Sequence, residues 1–289
     1  ATRTAALLSG EIDFLFDPPT QDLPRIEAAE GLKVEVKPQI RTIFFGLNQG
    51  EEAPFTNEGG PNPFADRRVR EAVYLAIDEG AIVDRIMRGN AAPIGMVSAP
   101  GVRGYDETYA QRMEFDPERA RALMEEAGFG DGFETRIDCP NDRYVNDEAI
   151  CQAVVGMLGR IGITATLDAQ TASVHFTKIR ERDTDFYMMG WGIPTLDSHY
   201  VFSLLYGESP WNGMRYQDDR MDELIAAMAA EMDETARDAM MDEAWQIALE
   251  DIPIVPLHNQ VLTWAMIDRL NMPIQADDTP QFRFATFTE

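Results

Sequence analysis

Between residues 133 and 192 the apolar pattern changes period four times. FETRIDC (133–139) alternates as a strand and VNDEAICQAVVGMLGRIG follows with helical spacing. ITATLDA (163–169) is again a strand, ASVHFTKIRERD a helix and DFYMMGW a strand. A strand–helix–strand–helix–strand run points to right-handed crossovers and a mainly parallel sheet with helices on its faces. The expected fold class is therefore α/β. In such a sheet, ligands sit beyond the carboxyl ends of the strands. Those ends carry Asn141, Asp142 and Arg143, then Asp168, Gln170 and Thr171, then Gly190, Trp191 and Gly192. Glycines on both sides of Trp191 let another molecule approach the backbone. Trp191, Gly190 and Gly192 are candidate cleft residues, with Asn141 and Arg143 as polar neighbours and Asp197 and His199 on the rim. On that reading, Trp191→Ala weakens binding with little loss of stability. The competing reading buries Trp191 against helices behind the sheet.

The rest of the chain supplies further elements. A helix stopping at Gly10 leads into a strand at Ile12 to Phe16, and another helix follows Leu23-Pro24. LKVEVKP and RTIFFGLNQ are expected as strands, and residues 50–63 as a loop rich in Gly, Pro and Asn. DRRVREAVYLAID and AIVDRIMRG are expected as helices, and 91–115 as loop. FDPERARALMEEAGF is a helix capped by Asp116, with Pro117 at its first position and Gly128 at its end. HYVFSLL precedes two long helices, DRMDELIAAMAAEM and ETARDAMMDEAWQIALE. PIVPLHNQVLTWAMI and FRFATF look like strands.

The 289 residues carry 50 acids against 25 bases, a formal charge of −25. That argues against nucleic acid and against anionic membrane surfaces as partners. No apolar run approaches the roughly 20 residues of a membrane span. The opening ATRTAALLSGEIDF lacks the basic segment and unbroken apolar stretch of a signal peptide, so the chain is expected to begin mid-fold, as a fragment. No G-x-S-x-G, H-E-x-x-H, phosphate-loop or dinucleotide motif is present, so no catalytic residue is assigned. His175 and His258 are expected to be structural, and His199 is open. Met221, Met228, Met232, Met240 and Met241 sit at helical spacing and are expected as core filler rather than a soft metal site.

Several segments carry a resemblance. NPFADRRVREAVYLAIDEGAIVDRIMRGNAAP, FDPERARALMEEAGF, DFYMMGWG, ALLSGEIDF and DDRMDELIAAMAAEMDETARDAMMDEAWQIALEDIPIVPL together resemble the family 5 extracytoplasmic solute-binding proteins, the receptors of peptide- and nickel-type ABC importers. The resemblance implies a lobe of the type II periplasmic-binding-protein kind. It implies a remnant of lobe one at 1–45, a second lobe at 46–258, and a return towards lobe one at 259–289. It also implies capture of a small, peptide-like or related solute between two lobes, delivery to a membrane permease, a periplasmic location, no cofactor or metal, no reaction, and a monomer when full-length. The other class held open is an α/β hydrolase or transferase, with Asp197, Ser198 and His199 as its adjacent polar residues. Oligopeptide-binding members carry an Asp three residues after this Trp, where Pro194 stands here, and some carry an Arg three before it, where Met188 stands. Asp197 is the candidate substitute, and ligands other than free-amine peptides stay open.

An extracytoplasmic location permits a disulfide. Cys139 ends a strand, and Cys151, with eleven residues between them, lies about two turns into the next helix. A Cys139–Cys151 bridge is expected, against two buried thiols.

Overall fold

The computed structural model describes residues 2–288. Its strands are β1 (Phe14–Phe16), β2 (Leu32–Leu47), β3 (Ala91–Pro93), β4 (Phe133–Pro140), β5 (Ile163–Gln170), β6 (Phe186–Gly192), β7 (Ile254–Ile267), β8 (Leu270–Asn271) and β9 (Thr286–Phe287). Its α-helices are α1 (Thr2–Leu8), α2 (Leu23–Glu27), α3 (Arg67–Ala76), α4 (Glu79–Ala81), α5 (Pro117–Glu126), α6 (Asp147–Leu158), α7 (Ala172–Glu181), α8 (His199–Phe202), α9 (Asp219–Ala230) and α10 (Glu234–Asp251).

The main sheet has the order β1-β7-β2-β6-β4-β5, with β3 also on β7. The strand–helix alternation becomes its parallel part: β4 runs parallel to β5 from Phe133 to Pro140 and parallel to β6 at Asp138. The long strand β2 lies antiparallel to both β6 and β7, so β6 and β7 point the same way.

β2 is one strand where two were expected. Its register against β7 shifts between Pro38 and Thr42, and Pro38 has no N–H for the ladder, so the strand bends there without ending. The stretch 91–115, expected as loop, contains β3. The helix expected at AIVDRIMRG begins as α4 and widens into a π turn at Ile82–Ile86. HYVFSLL keeps only the single turn of α8, and FRFATF resolves into a 3-10 turn at Phe282–Phe284 followed by β9.

Alternation along the strands divides the core between the two faces of the sheet. Ile43, Phe45 and Leu47 of β2 join Ile137, Phe186 and Met188 in one cluster beneath α3, α5 and α6. Phe44, Tyr187, Met189 and Trp191 face the other way, into a cluster with α8, α9 and α10. Met221, Met228 and Met241 are buried there as packing, whereas Met232 is exposed. β2 and β7 continue beyond these layers into a smaller body, where Leu7, Leu15, Ile26 and Ala265 form one cluster and Trp264, Met266, Leu270 and Met272 another.

Local chemistry sets the helix ends. Asp66, Asp116, Asp218 and Asp233 each accept a hydrogen bond from a backbone N–H in the first turn that follows. Buried Arg70 on α3 closes the base of the sheet: its guanidinium donates to the carbonyls of Phe64, Ala65, Asp251 and Ile252 at 2.6–3.2 Å. Cys139 and Cys151 are joined as a disulfide, their Cα atoms 6.6 Å apart. The bridge pins the end of β4 to the second turn of α6.

Candidate ligand cleft

The loop that follows β4 is folded by Asp147, whose carboxylate accepts from the N–H groups of Arg143 at 3.0 Å and Tyr144 at 2.9 Å. Asn146, in the left-handed region at φ 57°, donates to Ile86 O at 2.9 Å and to Thr20 Oγ1 at 3.2 Å. That second bond reaches the smaller body. Between the loop and that body lies a cleft of about 420 Å³. Arg143, Tyr144 and Asn146 form one wall, Asp17 and Thr20 the facing wall, and Arg41 of β2 and Gln260 of β7 the floor.

The cleft is charged in both signs. Arg3, Arg41 and Arg143 line it together with Asp17, Asp142 and Asp278, and Asp142 also accepts from the Ala172 N–H at the start of α7. Burial, and then repulsion from Asp278, push the Asp17 carboxyl up to about 6, against the pull of Arg41, Arg3 and Arg143. Burial likewise raises Asp278. Burial, and then repulsion from Arg143, lower the pKa of the Arg41 guanidinium. Three guanidinium groups and three carboxylates, two of the carboxylates partly desolvated, thus meet around one space, a combination suited to a ligand that carries both acidic and basic groups.

The residues expected on the cleft wall divide between the two faces of β6. Arg143 lines the cleft, and Gly192 pairs with Arg41 in the β6–β2 ladder. A Cβ added at Gly192 would meet nothing within 4 Å, so its backbone is open. Gly190 is covered instead: a Cβ there would lie 2.6 Å from the Tyr144 ring, and the Tyr144 hydroxyl donates to Gly190 O at 3.2 Å. Trp191 points to the opposite face and is 9% exposed. Its ring stacks on Tyr200 at 5.2 Å, meets Trp211 at 5.9 Å, and its N–H donates to Tyr200 O at 3.3 Å. The first glycine therefore makes room for a tyrosine of the same chain. Asn141 is exposed, and its backbone N–H extends the ladder to Gln170 O.

Asp197, Ser198 and His199 do not converge. The Asp197 carboxylate holds Arg237 through two bonds of 2.6 and 3.0 Å and caps His199 N at 2.9 Å. Ser198 Oγ donates to Arg103 O, and His199 Nε2 lies 3.0 Å from Ile225 O. No hydroxyl–imidazole–carboxylate relay exists among them. His175 is buried with Nε2 2.7 Å from Met188 O, and burial lowers its pKa, so the ring is a neutral part of the core. His258 is buried against Glu79, Nδ1 to Oε1 2.7 Å.

Arg3, Arg41, Asp17, Gln260 and Asp278 were not singled out from the sequence. They come from five separated segments in no motif, and only the bend of β2 and β7 into the smaller body gathers them.

Comparison with known proteins bears on this geometry. The family described as "Bacterial extracellular solute-binding proteins, family 5 Middle" matches residues 1–213. The chain belongs to that family. Its description names solute binding and no reaction. The glutathione-binding protein GsiB of Salmonella paratyphi A is 26% identical over 287 residues, which cover 92% of this chain and 54% of that protein. GsiB of Escherichia coli K12 is 25% identical over the same shares. The chain thus spans about half the length of the curated relatives it matches. Among solved structures, NikA from Brucella suis in complex with Fe(III)-EDTA superposes with a TM-score of 0.85 at 19% identity, covering 99% of this chain and 60% of that one. A dipeptide-binding protein from Pseudoalteromonas in complex with Met-Leu gives 0.84 at 20% identity, covering 99% and 56%. These likenesses show the fold, a lobe of a periplasmic binding protein.

Proposed function

We propose that this chain forms most of the second lobe of an ABC-importer receptor that captures a small peptide-like solute in the cleft beside Arg143 and delivers it to a membrane permease. Residues 46–258 are the lobe itself. Residues 1–45 and 259–289 belong to the crossover and the neighbouring lobe, because β2 and β7 run from one set of clusters to the other. The setting is extracytoplasmic, in keeping with the family description and with the Cys139–Cys151 bridge.

The observation that carries the reading is the meeting of Arg3, Arg41 and Arg143 with Asp17, Asp142 and Asp278 around one cleft. A zwitterionic solute with carboxylates and an amine is complementary to that set in sign. Glutathione, the ligand named for the curated relatives, is such a molecule and is the first probe. The amine faces Asp17 and Asp278, the carboxylates face the arginines, and Gly192 leaves the backbone open beside Arg41. Asp197 takes no part, because Arg237 already neutralises it.

Isothermal titration of the full-length protein with glutathione and with neutral-side-chain tripeptides tests this. Binding by glutathione, weakened about 10–100-fold in Arg143→Ala through loss of a charge-assisted contact, is the expected result. Equal affinity in Arg143→Ala and the wild type would remove the cleft from the reading.

A further inference from the structure

A second, chemically different cavity lies on the other side of the lobe. It has a volume of about 240 Å³ and is lined by the end of α10, the start of β7, Tyr74 of α3 and residues of the 95–113 segment. It shares no lining residue with the cleft. None of its lining residues carries a charge. Tyr74, Met96, Val97, Leu205 and Trp245 make its walls apolar and in part aromatic.

Two features distinguish it from a packing fault. Trp245 is 4% exposed, and its indole N–H is buried without any acceptor in the protein. A buried donor left unmade costs the full desolvation of that group, on the order of 1–3 kcal/mol. Native structures satisfy such groups with protein, water or ligand. Ile252, also on the wall, is held at φ 52°. A branched residue avoids that region, and the Arg70 bonds to Asp251 O and Ile252 O hold the turn in place.

From these observations we infer that this cavity is a binding site for an uncharged aromatic molecule of one or two rings that bears a single hydrogen-bond acceptor, taken by the Trp245 N–H. Size sets the ring count: an apolar cavity of about 150 Å³ accommodates benzene, so 240 Å³ admits one substituted or two fused rings. Charge sets the polarity. The lining residues are all uncharged and the nearest cation, Arg112, is stacked over Tyr74, so a charge buried among these walls would have no direct partner in the lining. An anion would also approach against a net charge of −25. The ring packs between Tyr74, over which the Arg112 guanidinium stands at 4.3 Å, and Trp245, fixed by Phe202 at a centroid distance of 4.9 Å.

The test uses full-length protein with labelled tryptophan indoles, followed by nuclear magnetic resonance. Trp245→Phe identifies the Trp245 N–H signal by its disappearance. Acetophenone, an aromatic ketone, is expected to move that signal saturably with a dissociation constant of about 0.1–1 mM, as suits a ligand of so few atoms. Toluene, which lacks the acceptor, is expected to bind about tenfold more weakly. Ala248→Phe fills the cavity from α10 and is expected to abolish the response while the thermal unfolding midpoint stays at its wild-type value. No saturable shift with acetophenone overturns the site. So does unchanged affinity in a folded Ala248→Phe. Equal affinity for toluene and acetophenone overturns the role of the Trp245 N–H. All these outcomes are independent of whether glutathione binds in the cleft.

Discussion

Trp191 and Asp17 show how one side chain's surroundings decide its role. Trp191 has the exposure of a core residue and an aromatic ring stacked over its face. Its removal leaves a cavity beside Tyr200 and Trp211, so Trp191→Ala should cost about 3 kcal/mol of stability. Urea unfolding measures that loss, and titration of the same variant should show solute affinity within about threefold of wild type after correction for the unfolded fraction. Asp17 makes the opposite case. Its carboxyl is raised from the ordinary 3.8 to about 6, so the folded state holds the proton more tightly than the unfolded chain does. Stability from this group is therefore full below about pH 4 and is lost as pH rises to 6. Asp17→Asn removes the ionisation, and Asn tolerates the φ of 45° found there. The variant should be more stable than wild type by about 1–2 kcal/mol at pH 7, a figure discounted for the partial exposure of the site. The gain should vanish near pH 4. Chemical denaturation at the two pH values reads the difference, and a gain of equal size at both would contradict the assignment.

At the scale of elements, the junction between β4 and α6 builds one wall of the cleft. Arg143 and Tyr144 stand on a six-residue loop, 141–146, whose two ends are tied by the Cys139–Cys151 bridge and whose middle is tied by Asp147. Closing a ring of this length stabilises by about 3 kcal/mol in the chain-entropy account. Reduction with dithiothreitol should thus lower the unfolding free energy by about that amount. It should also weaken solute binding more than the lost stability explains, because the loop carrying Arg143 is freed. Titration under reducing and oxidising conditions, at a temperature where both forms are folded, checks this. β2 and β7 do the complementary work. Their bend at Pro38–Thr42 carries Arg41 and Gln260 into the cleft floor.

Over the whole molecule, 50 acids against 25 bases make a strongly repelling surface. The ion pairs that relieve it are mostly exposed, such as Arg220–Glu243 at 2.7 Å and Arg103–Asp238 at 2.6 Å, and pairs of that kind contribute little each. Self-repulsion should therefore destabilise the fold at low ionic strength. Raising sodium chloride from about 0.01 to 0.5 M shortens the screening length from about 30 Å to a few ångström. The thermal midpoint should rise by several degrees over that range, as scanning calorimetry measures. A fall would mean that attractive pairs outweigh repulsion.

The sequence alone determined the periodic parts of this protein. The alternation from Phe133 to Gly192 specified β4, α6, β5, α7 and β6, because side-chain period follows directly from which face of an element is buried. Asp116, Pro117 and Gly128 marked a helix, because caps act within a few residues of where they stand. The spacing of Cys139 and Cys151 was legible because both lie in one strand–helix unit whose geometry is local. Arg143 could be named as a candidate because it stands in the loop just beyond the end of a parallel strand, Phe133–Pro140. The tertiary structure alone decided the rest of the cleft. Arg3, Asp17, Arg41, Gln260 and Asp278 are scattered along the chain, and only the passage of two long strands between two bodies brings them together. It also decided that Gly190 accommodates Tyr144, that Trp191 turns to the other face, and that Asp197 holds Arg237. A glycine, a tryptophan or an aspartate has the same local signature whether its neighbour is a ligand or another part of the chain. Which neighbour it has is a long-range contact, and no local pattern encodes it.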